Sequence, residues 1–420
     1  MKYILVVFLI SFCSLGILNT PVFSEDSTNY PDSLIENNPN IYLDCQECDF
    51  DYLRRELTFV NFVRDRKQAS VHILVSEQRT GSGGREFTVE FIGKNEFSTM
   101  TDTLKLITIE SDTDDKIRTE LNRIFKLGLI RYVARTPLSK DISIGYSKPS
   151  QSVEVKDKWN YWVFQVEGNF WLNGQKSYRS FNFWGNLSAR RVTEKMKLYF
   201  EIWGNYNEDR FDYDDYEALS ISRSKGTSGS IIKSIHNHWS IGYFYNVYSS
   251  SYSNTKNSIW SSPGIEYNLF PYDQSSRRQL RFIYKLSANY VKYDEETIFN
   301  KFEEWLTEQS LRVSLELIQP WGSISTTLSG SHYFHDFSKN RVRLYGRFSF
   351  RVFEGFSFNM DGQVSRIRDQ LSLRKGSADE EEVLLRRTEL ATSYSYRASV
   401  GISYSFGSIY NNIVNPRFGN

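Results

Sequence analysis

The sequence predicts a mainly β protein: an antiparallel transmembrane β-barrel of about 12 strands, with about 10 as the alternative, preceded by a small α/β domain. Three observations carry this. From Trp159 to Phe406, apolar and polar residues alternate strictly over long segments that recur roughly every 20 residues, the period of a barrel strand plus its turn. Aromatic side chains make up 16% of the 420 residues and gather toward segment ends, as at Trp239, Tyr267, Phe270, Tyr290, Trp321, Phe334 and Phe406, where a lipid–water interface would hold them. The chain also opens with an export signal. Lys2 supplies the basic end, Ile4 to Ile17 the apolar core and Val22-Phe23-Ser24 the cleavage site, so residues 1–24 are expected to be removed.

That opening apolar run is shorter than the ~20 residues a spanning helix needs. Phe12 before Cys13 argues against lipidation, since a lipoprotein signal has a small residue there. No later run is long and apolar enough for a membrane helix, so any span must be made of strands. A mean hydropathy of -0.48 does not contradict this, because the lipid-facing and inward-facing halves of a barrel strand cancel in the average. A net charge of +1 offers no field for nucleic acid.

Residues 25–40 are polar and lack periodicity, and read as a linker. A periplasmic α/β domain is expected over residues 41–136. Ile41 to Asp44 reads as a strand and Phe50 to Val63 as a helix, with Leu53, Leu57 and Val60 on its apolar face. Val71, Ile73 and Val75 alternate on one arm of a hairpin and Phe87, Val89 and Phe91 on the other, joined by Gly81-Ser82-Gly83-Gly84. This glycine run joins two strands, and no Lys-Ser/Thr or helix follows it, so it is a turn and not a phosphate loop. Thr113 to Arg131 reads as a helix capped by Asp112 or Thr113. Residues 137–157 form a connector.

The barrel is expected over 158–407. Its last strand sorts Tyr396, Ala398, Val400, Ile402, Tyr404 and Phe406 from Ser395, Arg397, Ser399, Gly401, Ser403 and Ser405. Val342, Leu344, Gly346, Phe348, Phe350 and Val352 sort as cleanly. The weakest strand lies between Leu219 and Lys233. Connections around Val192, His236, Tyr272, Pro320 and Glu354 are mostly short, while Glu208–Glu217, Ser249–Lys256, Tyr293–Trp305 and Asp369–Thr392 are longer and more polar. Short periplasmic turns with long outer loops are the asymmetry of outer-membrane barrels, which places the protein in that membrane with the N-terminal domain in the periplasm. A soluble sandwich is the alternative. It would bury the apolar face against a second sheet and would use strands of ~5 to 6 residues. Residues 408–420 are a tail.

The inward face of this barrel collects Glu167, Glu201, Arg281, Lys285, Arg312, Glu316, Arg343, Arg347, Arg351, Asp361 and Arg397. Near-balance of sign favours a network of ion pairs filling the interior, with an anion-favouring channel as the alternative. Acidic clusters at Asp209, Asp212, Asp214 and Asp215, at Asp294 to Glu296, and at Asp379 to Glu382 lack the spacing of a calcium loop and read as solvated charge. Cys45 and Cys48 read as a structural disulfide, against a redox pair that would need repeated βαβ units around it. His332 and His335 are placed on one strand with opposite facings. No serine is singled out as the partner of a catalytic histidine. No cofactor and no metal site are expected.

The stretch Ile41-Tyr-Leu-Asp-Cys-Gln-Glu-Cys-Asp-Phe-Asp-Tyr-Leu-Arg-Arg-Glu-Leu resembles an uncharacterised family of bacterial outer-membrane proteins. Val71-His-Ile-Leu-Val, Thr80-Gly-Ser-Gly-Gly-Arg-Glu-Phe-Thr and the ending Gly407-Ser-Ile-Tyr-Asn-Asn-Ile-Val-Asn-Pro-Arg-Phe carry the same resemblance. It implies the same two-part plan and brings no catalytic residues to carry over. The chain continues past Phe406, so recognition by the barrel-insertion machinery would use an internal signal. The expected role is a narrow channel, surface receptor or envelope assembly partner. Expected partners are outer-membrane lipid and lipopolysaccharide, the insertion machinery, and a periplasmic protein or cell-wall material. A membrane-embedded lipid hydrolase and a soluble secreted β-rich binding protein are the alternatives.

Overall fold

The computed structural model describes residues 38–81, 83–145, 157–213, 216–376, 390–408 and 417. The signal peptide, nearly all of the linker, most of the connector and most of the tail lie outside them.

The first unit is a five-stranded sheet with two helices. Its elements run β1 (Asn40–Asp44), α1 (Phe50–Glu56), β2 (Asn61–Phe62), β3 (Val71–Arg79), β4 (Arg85–Gly93), β5 (Thr101–Ile107) and α2 (Asp114–Val133). The strand order is β2-β1-β3-β4-β5, with β1 parallel to both neighbours and β3, β4 and β5 antiparallel. Asp49 caps α1 by accepting from the Tyr52 amide at 2.9 Å. The helix stops at Glu56, short of the expected Val63. Leu53, Leu57 and Val60 are all buried as expected, but Val60 reaches the core through a turn, and Asn61 to Val63 go extended beside β1. Strand β5 escapes the periodicity reading because it is a mostly solvated edge.

Helix α2 begins at the expected cap, where the Thr113 side chain accepts from the Lys116 amide at 3.3 Å. It lays Leu121, Ile124, Phe125, Leu129 and Tyr132 on the sheet. A Cβ on Gly128 would sit 2.0 Å from the Phe91 ring, so glycine sets the closeness of this approach. The buried Tyr132 hydroxyl is satisfied by the carbonyls of Phe91 and Met100, at 2.9 and 3.2 Å.

The second unit is one sheet of twelve strands in chain order, each antiparallel to the next. They are β6 (Trp162–Gln175), β7 (Tyr178–Val192), β8 (Met196–Tyr213), β9 (Tyr216–His236), β10 (Trp239–Ser250) and β11 (Thr255–Asn268), followed by β12 (Arg278–Tyr293), β13 (Glu303–Gln319), β14 (Gly322–Tyr333), β15 (Asn340–Phe353), β16 (Phe356–Ile367) and β17 (Tyr394–Tyr404). The two faces are inverted relative to a soluble protein. Directly paired Leu187 and Ile202, Ile241 and Ile265, Tyr284 and Leu311, and Leu328 and Leu344 form an apolar outer face. On it Val166 is 79% and Leu344 50% exposed, while Ser262 and Ser365 on the opposite face are 0% and 1% exposed.

The sheet is rolled up. Laid flat, twelve strands at ~4.8 Å spacing would span roughly 50 Å. Yet the one small α/β unit touches Val192 at the end of β7, Ser275 before β12, Pro320 between β13 and β14, and Gly407 after β17.

Two expectations are corrected. The ring is not closed among the described residues, since β6 pairs only with β7 and β17 only with β16. These are the first and last strands in chain order, so theirs is the one junction that no connecting segment brings about. Second, Glu208–Glu217 is not a loop, because β8 and β9 run to Tyr213 and from Tyr216. Asp209 sits on β8 and accepts from the Tyr178 hydroxyl at 2.7 Å. Asp214, Asp215 and Asp379–Glu382 fall outside the described residues.

Candidate functional site: the polar interior and the unit at its short-turn end

All eleven charged residues expected inside fall on the inner face, because antiparallel register carries one parity around the wall. Their partners differ by sector. On β6 to β9, Glu167 accepts from the Gln165 amide at 2.6 Å, and Glu201 accepts from the hydroxyls of Tyr199 and Ser228 at 2.5 and 2.6 Å. Further round, Arg281 pairs with Glu316 at 3.1 Å, and the Lys285 ammonium lies 3.3 Å from the Phe244 ring centroid.

The expected interior-filling network is therefore not what forms. Of the eleven, only Arg281 and Glu316 pair with each other. Arg312, Arg343, Arg347 and Arg397 have no ion pair or side-chain hydrogen bond among the described residues, and all four are exposed to interior space. Register explains why. Arg312 and Arg343 both face Ser329, Arg397 faces Gln363, and only Arg347 faces an acid, Asp361, with which it makes no ion pair.

Arg351 reaches out of the wall. It grips Asp44 of β1 through both carboxylate oxygens, at 2.6 and 2.7 Å, a fork-on-fork pair. Around this anchor the α/β unit meets the short-turn end through further polar contacts. Arg277 pairs with Glu90 at 2.9 Å, and Arg190 lies 3.9 Å from Glu110. Arg66 donates to the carbonyls of Pro320 and Arg351 at 2.7 and 3.3 Å, and the Gly355 amide donates to Asp65 at 2.9 Å. The unit does not fill the mouth. One cavity of about 360 Å³ lies between Ser76, Glu77 and Arg347, and a second of about 610 Å³ lies between Arg85, Asp112 and Glu167.

Behind Asp44 sits His72, fully buried, its Nε2 3.5 Å from the Asp44 carboxylate and neither ring nitrogen hydrogen-bonded. Burial pushes its pKa below the usual imidazole value, against an opposing pull from Asp44. Sequence reasoning missed Asp44, His72, Arg66, Glu90 and Arg277. The available signal was a histidine inside the otherwise apolar run Val71 to Val75.

The opposite end is covered as well. Residues 369–375 fold across the strands, with Leu371 buried against Val291, Tyr293 and Leu306. The Ile298 amide donates to the Leu373 carbonyl at 2.9 Å. Arg374 and Lys375 pair with Glu295 and Glu296 at 3.2 and 3.0 Å, two of the three acids of that cluster. Cys45 and Cys48 are joined by a disulfide between β1 and α1. His335 lies in the connection after β14, off the strand that carries His332, and the His332 Nε2 lies 2.6 Å from the Gln309 amide nitrogen. Among the described residues no group of three or more His, Cys, Asp or Glu could hold a metal ion.

No family model matches the chain, and no curated protein matches it in sequence. Among solved structures it is similar to the NanC porin, at 6% identity and TM-score 0.27, covering 57% of this chain and 99% of that one. The translocator domain of the autotransporter NalP from Neisseria meningitidis gives 12% and 0.23, over 58% and 86%. The β domain of the Bordetella autotransporter BrkA gives 9% and 0.23, over 58% and 98%. With TM-scores this low, the description of the sheet rests on its own strand order and sorted faces.

Proposed function

We propose that the chain is a bacterial outer-membrane protein whose twelve strands enclose a narrow, plugged passage, with the α/β unit on the periplasmic side as the plug. The observation that carries this reading is the inverted wall. An exposed apolar face suits lipid, a polar inner face suits water, and the interior is obstructed at its short-turn end by a unit held through charges and hydrogen bonds. An apolar interface would bind such a unit permanently. Polar contacts exchange with water at little net cost, which suits a stopper that must leave.

Planar-bilayer recording tests it. The purified, folded protein is expected to conduct rarely, and Asp44→Asn with Glu90→Gln is expected to raise the open fraction several-fold. Silence from both proteins would remove the passage, and release of the native protein by a carbonate wash would remove the membrane.

A further inference from the structure

The four arginines without an ion pair or side-chain hydrogen bond among the described residues occupy one sector of the wall, and we infer that they form a binding track for small oxyanions, phosphate- or carboxylate-bearing solutes. This rests on the passage reading above and names the solute class it would carry.

The geometry is regular. Arg312 is on β13, Arg343 and Arg347 on β15, and Arg397 on β17, so arginine-bearing strands alternate with others. The strands between offer hydroxyls and amides to the same face, Ser325, Thr327 and Ser329 from β14 and Asn359, Gln363 and Ser365 from β16, with Asp361 of β16 as the one acid, opposite Arg347. Arginines two strands apart stand about 10 Å from each other across the sheet, and Arg343 and Arg347 about 13 Å apart along it. Arg312, Arg343 and Arg397 thus have room for an anion with hydroxyl and amide groups beside them, and Arg347 shares its surroundings with Asp361.

The contrast with the rest of the wall separates a binding track from structural charge. On β6 to β9 the acids are satisfied by neighbouring side chains, and Arg281 has Glu316. On β13 to β17, Arg341 and Arg351 are paired with Asp369 and Asp44, but Arg312, Arg343 and Arg397 face open space with no ion pair or side-chain hydrogen bond among the described residues, and Arg347 makes none even with its cross-strand neighbour Asp361. Arginines at membrane depth that line a cavity mark ion paths, and their planar fork matches carboxylate and phosphate geometry. Several separated sites also let an anion bind and leave stepwise, which passage requires.

The test uses the full chain folded in detergent micelles and ³¹P resonance broadening of inorganic phosphate. Saturable broadening is expected, with citrate and sulfate displacing the phosphate. The combined change Arg312→Gln, Arg343→Gln, Arg347→Gln and Arg397→Gln is expected to weaken it at least tenfold, while Arg281→Gln leaves it nearly intact. Should the fourfold variant fail to fold, Arg343→Gln with Arg347→Gln takes its place. Absence of broadening in the native protein overturns the inference, as does unchanged broadening in a folded variant. Bilayer currents separate this from the passage reading. Current that does not discriminate anions from cations, without phosphate binding, sinks the track and keeps the passage. Phosphate binding lost in the variant, without current from any form, keeps the track and sinks the passage.

Discussion

At the level of single residues, His72 ties the stability of the α/β unit to acidity. Its imidazole is neutral in the fold because burial disfavours the charged form, so the folded pKa lies below the unfolded one, and the unfolded chain binds the extra proton. Stability from this group is complete above the ordinary imidazole value of about 6.5 and falls as pH drops toward the folded value, levelling off below it. The expected result is a chemical unfolding midpoint that declines over that window, with the slope reduced in His72→Gln. A midpoint independent of pH in the native protein would contradict the assignment. Protonation would also set a second cation beside the carboxylate that Arg351 holds. Gly128 makes a different demand. Ala at this position would drive its methyl into Phe91 and cost about 1 to 3 kcal/mol, read as a lowered denaturant midpoint.

At the level of elements, the strands were legible because period-two sorting survives wherever one face meets an apolar medium and the other a polar one. Strand β9 was faint for a physical reason. Gly226 and Gly229 carry no side chain to sort, and their space is taken by Trp203 on the inner face and by Tyr245 and Phe200 on the outer, so the missing bulk is supplied across the ladder. The inward charges were equally legible from parity, but their partners were not. Whether Arg351 meets another wall residue or Asp44 depends on docking between segments far apart in the chain, which no local pattern encodes. The unpaired junction was beyond sequence too, since β6 and β17 each look like ordinary members of the set. It makes a clear expectation. In micelles, peptides from β6 and β17 should exchange their amide hydrogens much faster than peptides from β12, which is bonded on both sides. Equal protection would mean that the ring closes.

At the level of the whole molecule, two caps of different character enclose one polar space. The loop end is sealed partly by buried Leu371, whereas the short-turn end is held by Asp44, Glu90 and Glu110 lying against Arg351, Arg277 and Arg190. These carboxylates are tethered counterions. Their hold on the partly solvated arginines weakens as dissolved ions shorten the reach of charge, from about 10 Å at 0.1 M to about 3 Å at 1 M. A hydrocarbon seal has no such dependence. The surrounding brine would then act as a thumb on the latch, loosening the α/β unit's hold in concentrated media and tightening it in dilute ones, with no messenger beyond the salinity of the water itself.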